Sequence, residues 1–224
     1  MPSSARADHR TRTDRTTPLT LPQRLLLVRH GETTLNAARI LQPADTPLSA
    51  RGLEQARALS RRLAVEPLAA IWSSDLPRAW QTAEAVAAGR GIAAEPLLQE
   101  RNFGDLRGRA YDSLGFDPIA RSEAPPGGES LAEFERRIDL AFDLALAALA
   151  GLPGSLVLVT HGLVIRSLLA RRVELAPGLA LPERIGNTAL SVVEPGAPPR
   201  AVRIDCTAHL DAARADDPQA LSGA

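Results

Sequence analysis

The sequence predicts a three-layer α/β/α sandwich built on a mixed, mostly parallel sheet. Three observations lead there. Aliphatic runs of strand length alternate with stretches of helical period, the pattern of β–α crossovers. Two of those runs, 25–28 and 156–159, are apolar without alternation, as strands buried on both faces are. The last two runs are separated by a short loop holding Pro195, Gly196, Pro198 and Pro199. A loop that short cannot make a parallel crossover, so one of the two runs must be antiparallel.

Residues 1–22 are rich in Ser, Thr, Arg and Asp and have too little apolar surface to offset their ordering entropy; they read as a disordered leader. One domain is expected over 23–207, followed by a polar tail over 208–224. The first strand ends at His30, and Gly31 lets the chain turn away and a ligand come close. A short helix fits 32–40 and a Pro-containing loop 42–47. Ser49 is placed to cap a helix running to about 63, with Leu53, Ala56, Leu59 and Leu63 on its inner face. A strand over 68–72 ends at Ser73 and Ser74. Asp75 then caps a helix with Pro77 in its first turn and Arg78 near its start. An edge strand over 92–97 leads to Glu100. Residues 103–128 follow neither period and hold Phe103, Tyr111 and Phe116; they read as a functional loop or lid hinged at Gly104, Gly108 and Gly115. Ser130 caps a long amphipathic helix through Phe134, Ile138 and Phe142. A strand ending at His161, a helix over 163–171 and strands over 188–193 and 201–206 close the domain.

Composition removes several function classes. Lys plus Arg and Asp plus Glu number 26 each, so no broad basic field favours nucleic acid or an anionic membrane. All the basic residues are arginine. That excludes a Schiff-base lysine or a phosphate-loop lysine and leaves guanidinium forks, histidines and backbone amides to bind anions. Cys206, the one cysteine, reads as an inert core thiol. No run is long enough for a membrane span and no signal-peptide apolar region is seen; a cytoplasmic protein is expected.

The chain has four histidines, and two of them, His30 and His161, sit in His-Gly pairs at strand ends. With Arg29, with Arg78 at a helix start and with Glu100 after an edge strand, they would meet at the carboxyl edge of one sheet, where open α/β sheets bind ligands. Two guanidinium forks beside two histidines match phosphate oxygens, and helices starting after Gly31 and Gly162 would add amide donors. Metal binding ranks lower. Arginines crowd the histidine and the acid, and no His-x-x-x-His or Asp/His cluster is present.

The 24–33 stretch, with Arg29-His30-Gly31-Glu32-Thr33 and Asn36, resembles the histidine phosphatase superfamily, the phosphoglycerate-mutase-like enzymes. The resemblance extends through 47–56 and 73–84, then Glu100 with Phe103-Gly104, Pro126 to Ser130, Thr160-His161-Gly162 and Gly186 to Leu190. It implies that His30 is a nucleophile phosphorylated on its ring. It implies that Arg29, Asn36, Arg78, His161 and Gly162 bind the phosphoryl group, and that Glu100 is the proton donor. It implies no metal and no cofactor. The partner it implies is a small phosphorylated substrate, with neither nucleic acid nor membrane. The block Glu100-Arg101-Asn102-Phe103-Gly104-Asp105-Leu106-Arg107-Gly108 lacks the tyrosine and lysine of the mutases. It also carries arginine where phosphatase-like members have an acidic residue before the last glycine, and Pro43 stands where relatives have glycine. The expected activity is metal-independent phosphomonoester hydrolysis through a phosphohistidine. The alternatives are a phosphoglycerate mutase and a non-catalytic phosphate-binding module.

Overall fold

The computed structural model describes residues 23–211 and Leu221; the leader expected over 1–22 lies outside them. Seven strands form one sheet: β1 (Leu25–Arg29), β2 (Leu68–Ser73), β3 (Ala93–Ala94), β4 (Ser155–Thr160), β5 (Glu174–Leu175), β6 (Leu190–Glu194) and β7 (Arg200–Cys206). Their order is β3-β2-β4-β1-β6-β7-β5. β1, β2 and β4 run parallel, and β6 is the strand that reverses, pairing antiparallel with both β1 and β7. The expected mixed sheet is thus present, with the short loop between the last two strands forcing the reversal. β5 was not legible in the sequence, because two residues added beside β7 carry no period.

Every residue of β1 and β4 is buried, as their unbroken apolar runs require. One layer packs Phe134, Ile138, Ala141 and Phe142 of α4 (Leu131–Leu149) and Val164, Ile165 and Leu168 of α5 (Gly162–Arg171) on one face of the sheet. The other sets Leu59 and Leu63 of α2 (Ala50–Leu63) and Ala79, Ala83 and Val86 of α3 (Pro77–Ala87) against Leu26, Val28, Val157 and Val159. α1 (Thr34–Ala37) is one turn, closed by a capping box between Thr33 and Asn36. Ser49 and Ser130 cap α2 and α4 as the sequence predicts, each cap worth about 1 kcal/mol.

Several expectations need correction. Leu53 is 39% exposed, because the buried face of α2 is rotated onto Gly52, Gln55, Ala56 and Leu59. Asp75 does not cap α3; Leu76 holds the cap position without a side-chain bond, and Asp75 accepts from Gln99 Nε2 at 2.6 Å. The edge strand shrinks to Ala93–Ala94, and Pro96 starts a 3-10 turn instead. Gly31 is required by packing rather than by a turn: a Cβ there would lie 2.6 Å from Gly52 O, and one on Gly52 would lie 2.0 Å from Glu32 O. Cys206 is half-buried, with its Sγ 3.2 Å from Arg62 Nη2 and 3.6 Å from Arg203 Nη1. Burial alone would raise its pKa, but the Ala208 amide and these guanidinium groups bring it below the usual value, and its half-exposed position is not the core position expected.

Candidate active site

β1, β2 and β4 end level, because Arg29 pairs with Thr160 and Ser73 with Val159. The ladder continues one step past the strands, with His30 N bonded to Thr160 O and Ser74 N to Val159 O, both at 2.9 Å. His30, Ser74 and His161 therefore share one sheet edge. The two imidazole rings meet edge-on, with centroids 5.2 Å apart.

His30 Nδ1 lies 2.7 Å from the carbonyl oxygen of Gly31. A carbonyl can only accept, so Nδ1 carries the proton and Nε2 keeps its lone pair. Burial, then the charges of Arg29 and Arg78, hold the pKa of His30 well below the ordinary 6.5, against an opposing pull from Gly31. The ring is neutral at pH values where free histidine is largely charged. His161 is neutral as well, for burial and for the charges of Arg78, His30 and Arg29. It is anchored through the opposite nitrogen: Nε2 lies 2.9 Å from Ser74 Oγ, while the buried Nδ1 has no partner among the described residues.

Arg29 ends β1 fully buried, with Nη1 donating to Ile185 O at 2.6 Å and Nη2 to Leu221 O at 2.7 Å. Arg78, in the first turn of α3, is 2% exposed and donates from Nη1 to Pro43 O at 3.4 Å; its buried Nε has no partner among the described residues. Burial first, offset by Glu100 and aided by Arg107 and Arg29, lowers the Arg78 pKa to about 10, so the group stays charged.

Glu100 is 4% exposed and accepts from the amides of Arg101 at 3.0 Å and Leu163 at 3.4 Å, the latter in the first turn of α5. Burial raises its pKa above the ordinary 4.5, against the Arg101 amide, Arg78 and the Leu163 amide. A buried carboxyl shifted upward beside two cations is placed to release and retake a proton. Its backbone is fixed by Arg137 of α4, which donates to the carbonyls of Leu97, Gln99 and Glu100 at 2.8, 2.9 and 3.4 Å and pairs with Glu129 at 2.5 Å. Sequence reading missed Arg137, since an arginine on a helix face carries no signal that separates it from a solvated one.

The structure brings Arg29, His30, Arg78, Glu100 and His161 within reach of one another's fields. Gly162 sits buried at the first position of α5, beside them. Asn36 stands behind the site: its Nδ2 donates to Asn187 Oδ1 at 3.1 Å, and Asn187 Nδ2 donates to the His30 carbonyl at 3.0 Å. In this arrangement Asn36 works on the loop that holds His30 in place. Of the polar tail expected over 208–224, only 208–211 and Leu221 are described; Leu221 is 5% exposed, and its amide bonds Asn36 O at 2.9 Å.

The segment over 103–128 is stitched together at its base. Arg101 is 1% exposed and spreads its guanidinium over the carbonyls of Glu129, Pro118, Ile119 and Glu123 at 3.2–3.4 Å. Gly104, expected to be a hinge, packs so closely that a Cβ would lie 2.0 Å from Pro126 O. Phe103 is 2% exposed beneath the Arg101 guanidinium, and Tyr111 binds Asp117 Oδ1 at 2.6 Å. Both aromatics are internal supports of the segment.

The model of the histidine phosphatase superfamily, branch 1, matches residues 25–203. The chain belongs to that superfamily. Among relatives, it is 36% identical over 182 residues, 76% of this chain and 84% of the other, to a protein of Yersinia enterocolitica named probable phosphoglycerate mutase GpmB. Among solved structures it resembles Bacillus stearothermophilus YhfR, with a TM-score of 0.71 and 30% identity over 84% of this chain and 98% of that one. A putative alpha-ribazole-5'-P phosphatase from Escherichia coli gives a TM-score of 0.69 at 27% identity, covering 83% of this chain and 97% of that one. Curated relatives thus carry a mutase name and structural neighbours a phosphatase name. The superfamily assignment settles the fold as phosphoglycerate-mutase-like, which is the fold the sequence led to.

Proposed function

We propose that this superfamily member is a phosphomonoester hydrolase that works through a phosphohistidine on a small phosphorylated metabolite. The observation carrying this reading is His30: a neutral imidazole with Nδ1 committed to Gly31 and Nε2 free, set between two buried guanidinium groups. Nε2 attacks phosphorus, the ester oxygen leaves, and Glu100 gives its proton to that oxygen. The carboxylate so formed then takes a proton from water, which attacks the phosphohistidine and releases phosphate. Arg29 and Arg78 meet the charge on the equatorial oxygens. Ser74 Oγ, which accepts from the Leu76 amide at 3.3 Å, has its own hydrogen to give to His161 Nε2; in that tautomer the ring proton sits on the buried Nδ1, ready for a phosphoryl oxygen.

Positive charge here comes from arginine, which supports activity without a divalent ion. The test is turnover after exhaustive chelation, with an acid-labile phosphoenzyme trapped by rapid quench. Activity lost to chelator and restored by a divalent cation would sink the reading. The second reading, a phosphoglycerate mutase, is favoured by the name of the curated relatives. Against it stands the missing tyrosine and lysine in 100–108. Efficient interconversion of 2- and 3-phosphoglycerate by the wild type would establish the mutase instead.

A further inference from the structure

We propose that Gln55 and Thr82 are positioning residues for His30: from two helices they clamp the peptides on either side of Gly31 and so hold the imidazole in the tautomer that leaves Nε2 free. The inference deepens the hydrolase reading, on which the need for a free Nε2 rests.

The tautomer of His30 is set by one carbonyl, that of Gly31, 2.7 Å from Nδ1. That carbonyl belongs to the peptide joining Gly31 to Glu32. A trans peptide is planar, with its C=O and N–H pointing in opposite directions, so whatever fixes the Glu32 N–H also aims the Gly31 oxygen. The Glu32 N–H donates to Gln55 Oε1 at 2.8 Å. Gln55 lies on α2 and is fully buried, so solvent cannot take its place. The preceding peptide is held from α3: Gly31 N donates to Thr82 Oγ1 at 3.0 Å, and that hydroxyl donates to the Arg78 carbonyl at 2.8 Å. Thr82 is fully buried as well.

The two clamps meet a conflict at Gly31. The close approach of α2 admits only glycine there, since a Cβ would lie 2.6 Å from Gly52 O. Glycine is also the residue whose flanking peptides turn over most easily. If the peptide between Gly31 and Glu32 turned over, its N–H would face the ring in place of its oxygen. Nδ1 would then have to accept, the ring proton would sit on Nε2, and the nucleophilic lone pair would be lost. Neither Gln55 nor Thr82 needs to touch the ring to prevent this, because both act through the backbone. Thr82 also ties that backbone to the first turn of α3, so His30 and Arg78 are set from one point. Gln55 lies in the 47–56 stretch, which carries the family resemblance but has no part in the phosphoryl transfer itself.

The test reads the ring directly. In protein carrying isotope-labelled histidine, nitrogen NMR separates a protonated from an unprotonated ring nitrogen, and His30 is assigned as the signal that His30→Ala removes. Wild type should carry the proton on Nδ1. Gln55→Met keeps the length of the side chain and removes the acceptor; it should shift the proton at least partly to Nε2. It should also slow phosphoenzyme formation from p-nitrophenyl phosphate by about tenfold to a hundredfold, the cost of one buried amide left unpaired. Thr82→Val, set against Thr82→Ser, repeats the comparison at the other peptide: the valine should move the proton and slow the step, and the serine, which keeps the hydroxyl, should restore both. A wild-type proton on Nε2, or a proton that stays on Nδ1 in both Gln55→Met and Thr82→Val, overturns the proposal. So does a Thr82→Ser variant as slow as Thr82→Val. A wild type that hydrolyses no ester, with the ring responding as described, overturns the hydrolase reading and leaves the clamp standing.

Discussion

The two His-Gly strand ends look interchangeable in the sequence and are opposites in the structure. Both histidines follow buried parallel strands in matching register, and both rings are kept neutral by burial and by the same arginines. What differs is the nitrogen each one commits. His30 commits Nδ1 to the carbonyl of the next residue, whereas the Nε2 of His161 is engaged by Ser74 Oγ just past the end of β2. One ring is left with an available lone pair at Nε2, and the other with an unpartnered Nδ1. A motif supplies the residue and the strand end; the neighbour of each ring decides which chemistry that residue can do.

The strongest way to break this division is to remove each ring in turn. His30→Ala should cost about a thousandfold or more in turnover and leave no phosphoenzyme, since it deletes the covalent route. His161→Ala should cost roughly a hundredfold while still forming a phosphoenzyme, as loss of one oxyanion donor does. Equal losses, with no phosphoenzyme from either variant in rapid-quench experiments, would show that the two rings are not divided in this way.

Glu100→Gln sharpens the same division from the leaving-group side. Hydrolysis of an alkyl phosphate should slow by about a hundred to ten thousandfold, and phosphorylation by an aryl phosphate should slow less. The pH dependence follows from the shifts. His30 must be neutral and its pKa is lowered, so the acid limb lies below the ordinary histidine range; Glu100 must be protonated and its pKa is raised, so turnover falls as pH rises through that raised value. The Gln variant should lose this basic limb, and a pH profile unchanged from wild type would remove Glu100 from the proton path.

Ser74→Ala is a smaller perturbation. It frees Nε2 of His161 and should lower kcat by roughly tenfold with little effect on the trapped amount of phosphoenzyme. No change in kcat would mean that the Ser74 bond does not set the ring.

The smallest effect is on stability. His30, His161 and His209, the last brought to about 4 by burial and Arg62, are all lowered in the folded chain. Below 6.5, the ordinary value, the unfolded chain binds protons that the folded chain refuses. Stability should therefore rise with pH through that window and be complete above it. Glu100, raised when folded, works the other way: its contribution is complete below 4.5 and is lost as pH rises through its raised value. With three groups against one, Tm should drop by a few degrees between about pH 7.5 and pH 5.5. A Tm that stays level across that interval would contradict the buried neutral rings.

How much of this was legible follows from range. The strands 25–28 and 156–159, the Ser49 and Ser130 caps and the cluster of Arg29, His30, Arg78, Glu100 and His161 rest on local pattern, and the structure assembles them. Arg101, and Arg137 apart from its pair with Glu129, were opaque because their partners are backbone carbonyls, which every residue has. Phe103 and Tyr111 lie in a segment without a period, so nothing in the sequence tells which way they face; the fold of 101–130 packs them within the segment. Asp75 lost its cap role to a side-chain partner, Gln99, that no local rule names.

Leu221 bears on how the protein comes into being. Its carbonyl holds a guanidinium 192 residues earlier in the chain, and Ile185 holds the same group across 156. A growing polypeptide leaving the ribosome can pair β1 with β4 long before either anchor exists. The Arg29 guanidinium is then set only once Ile185 and Leu221 have both been made, and closing the chain over those spans costs entropy before any contact rewards it. Compactness should thus precede competence during synthesis, with a nascent domain that resists proteolysis before it can turn over substrate.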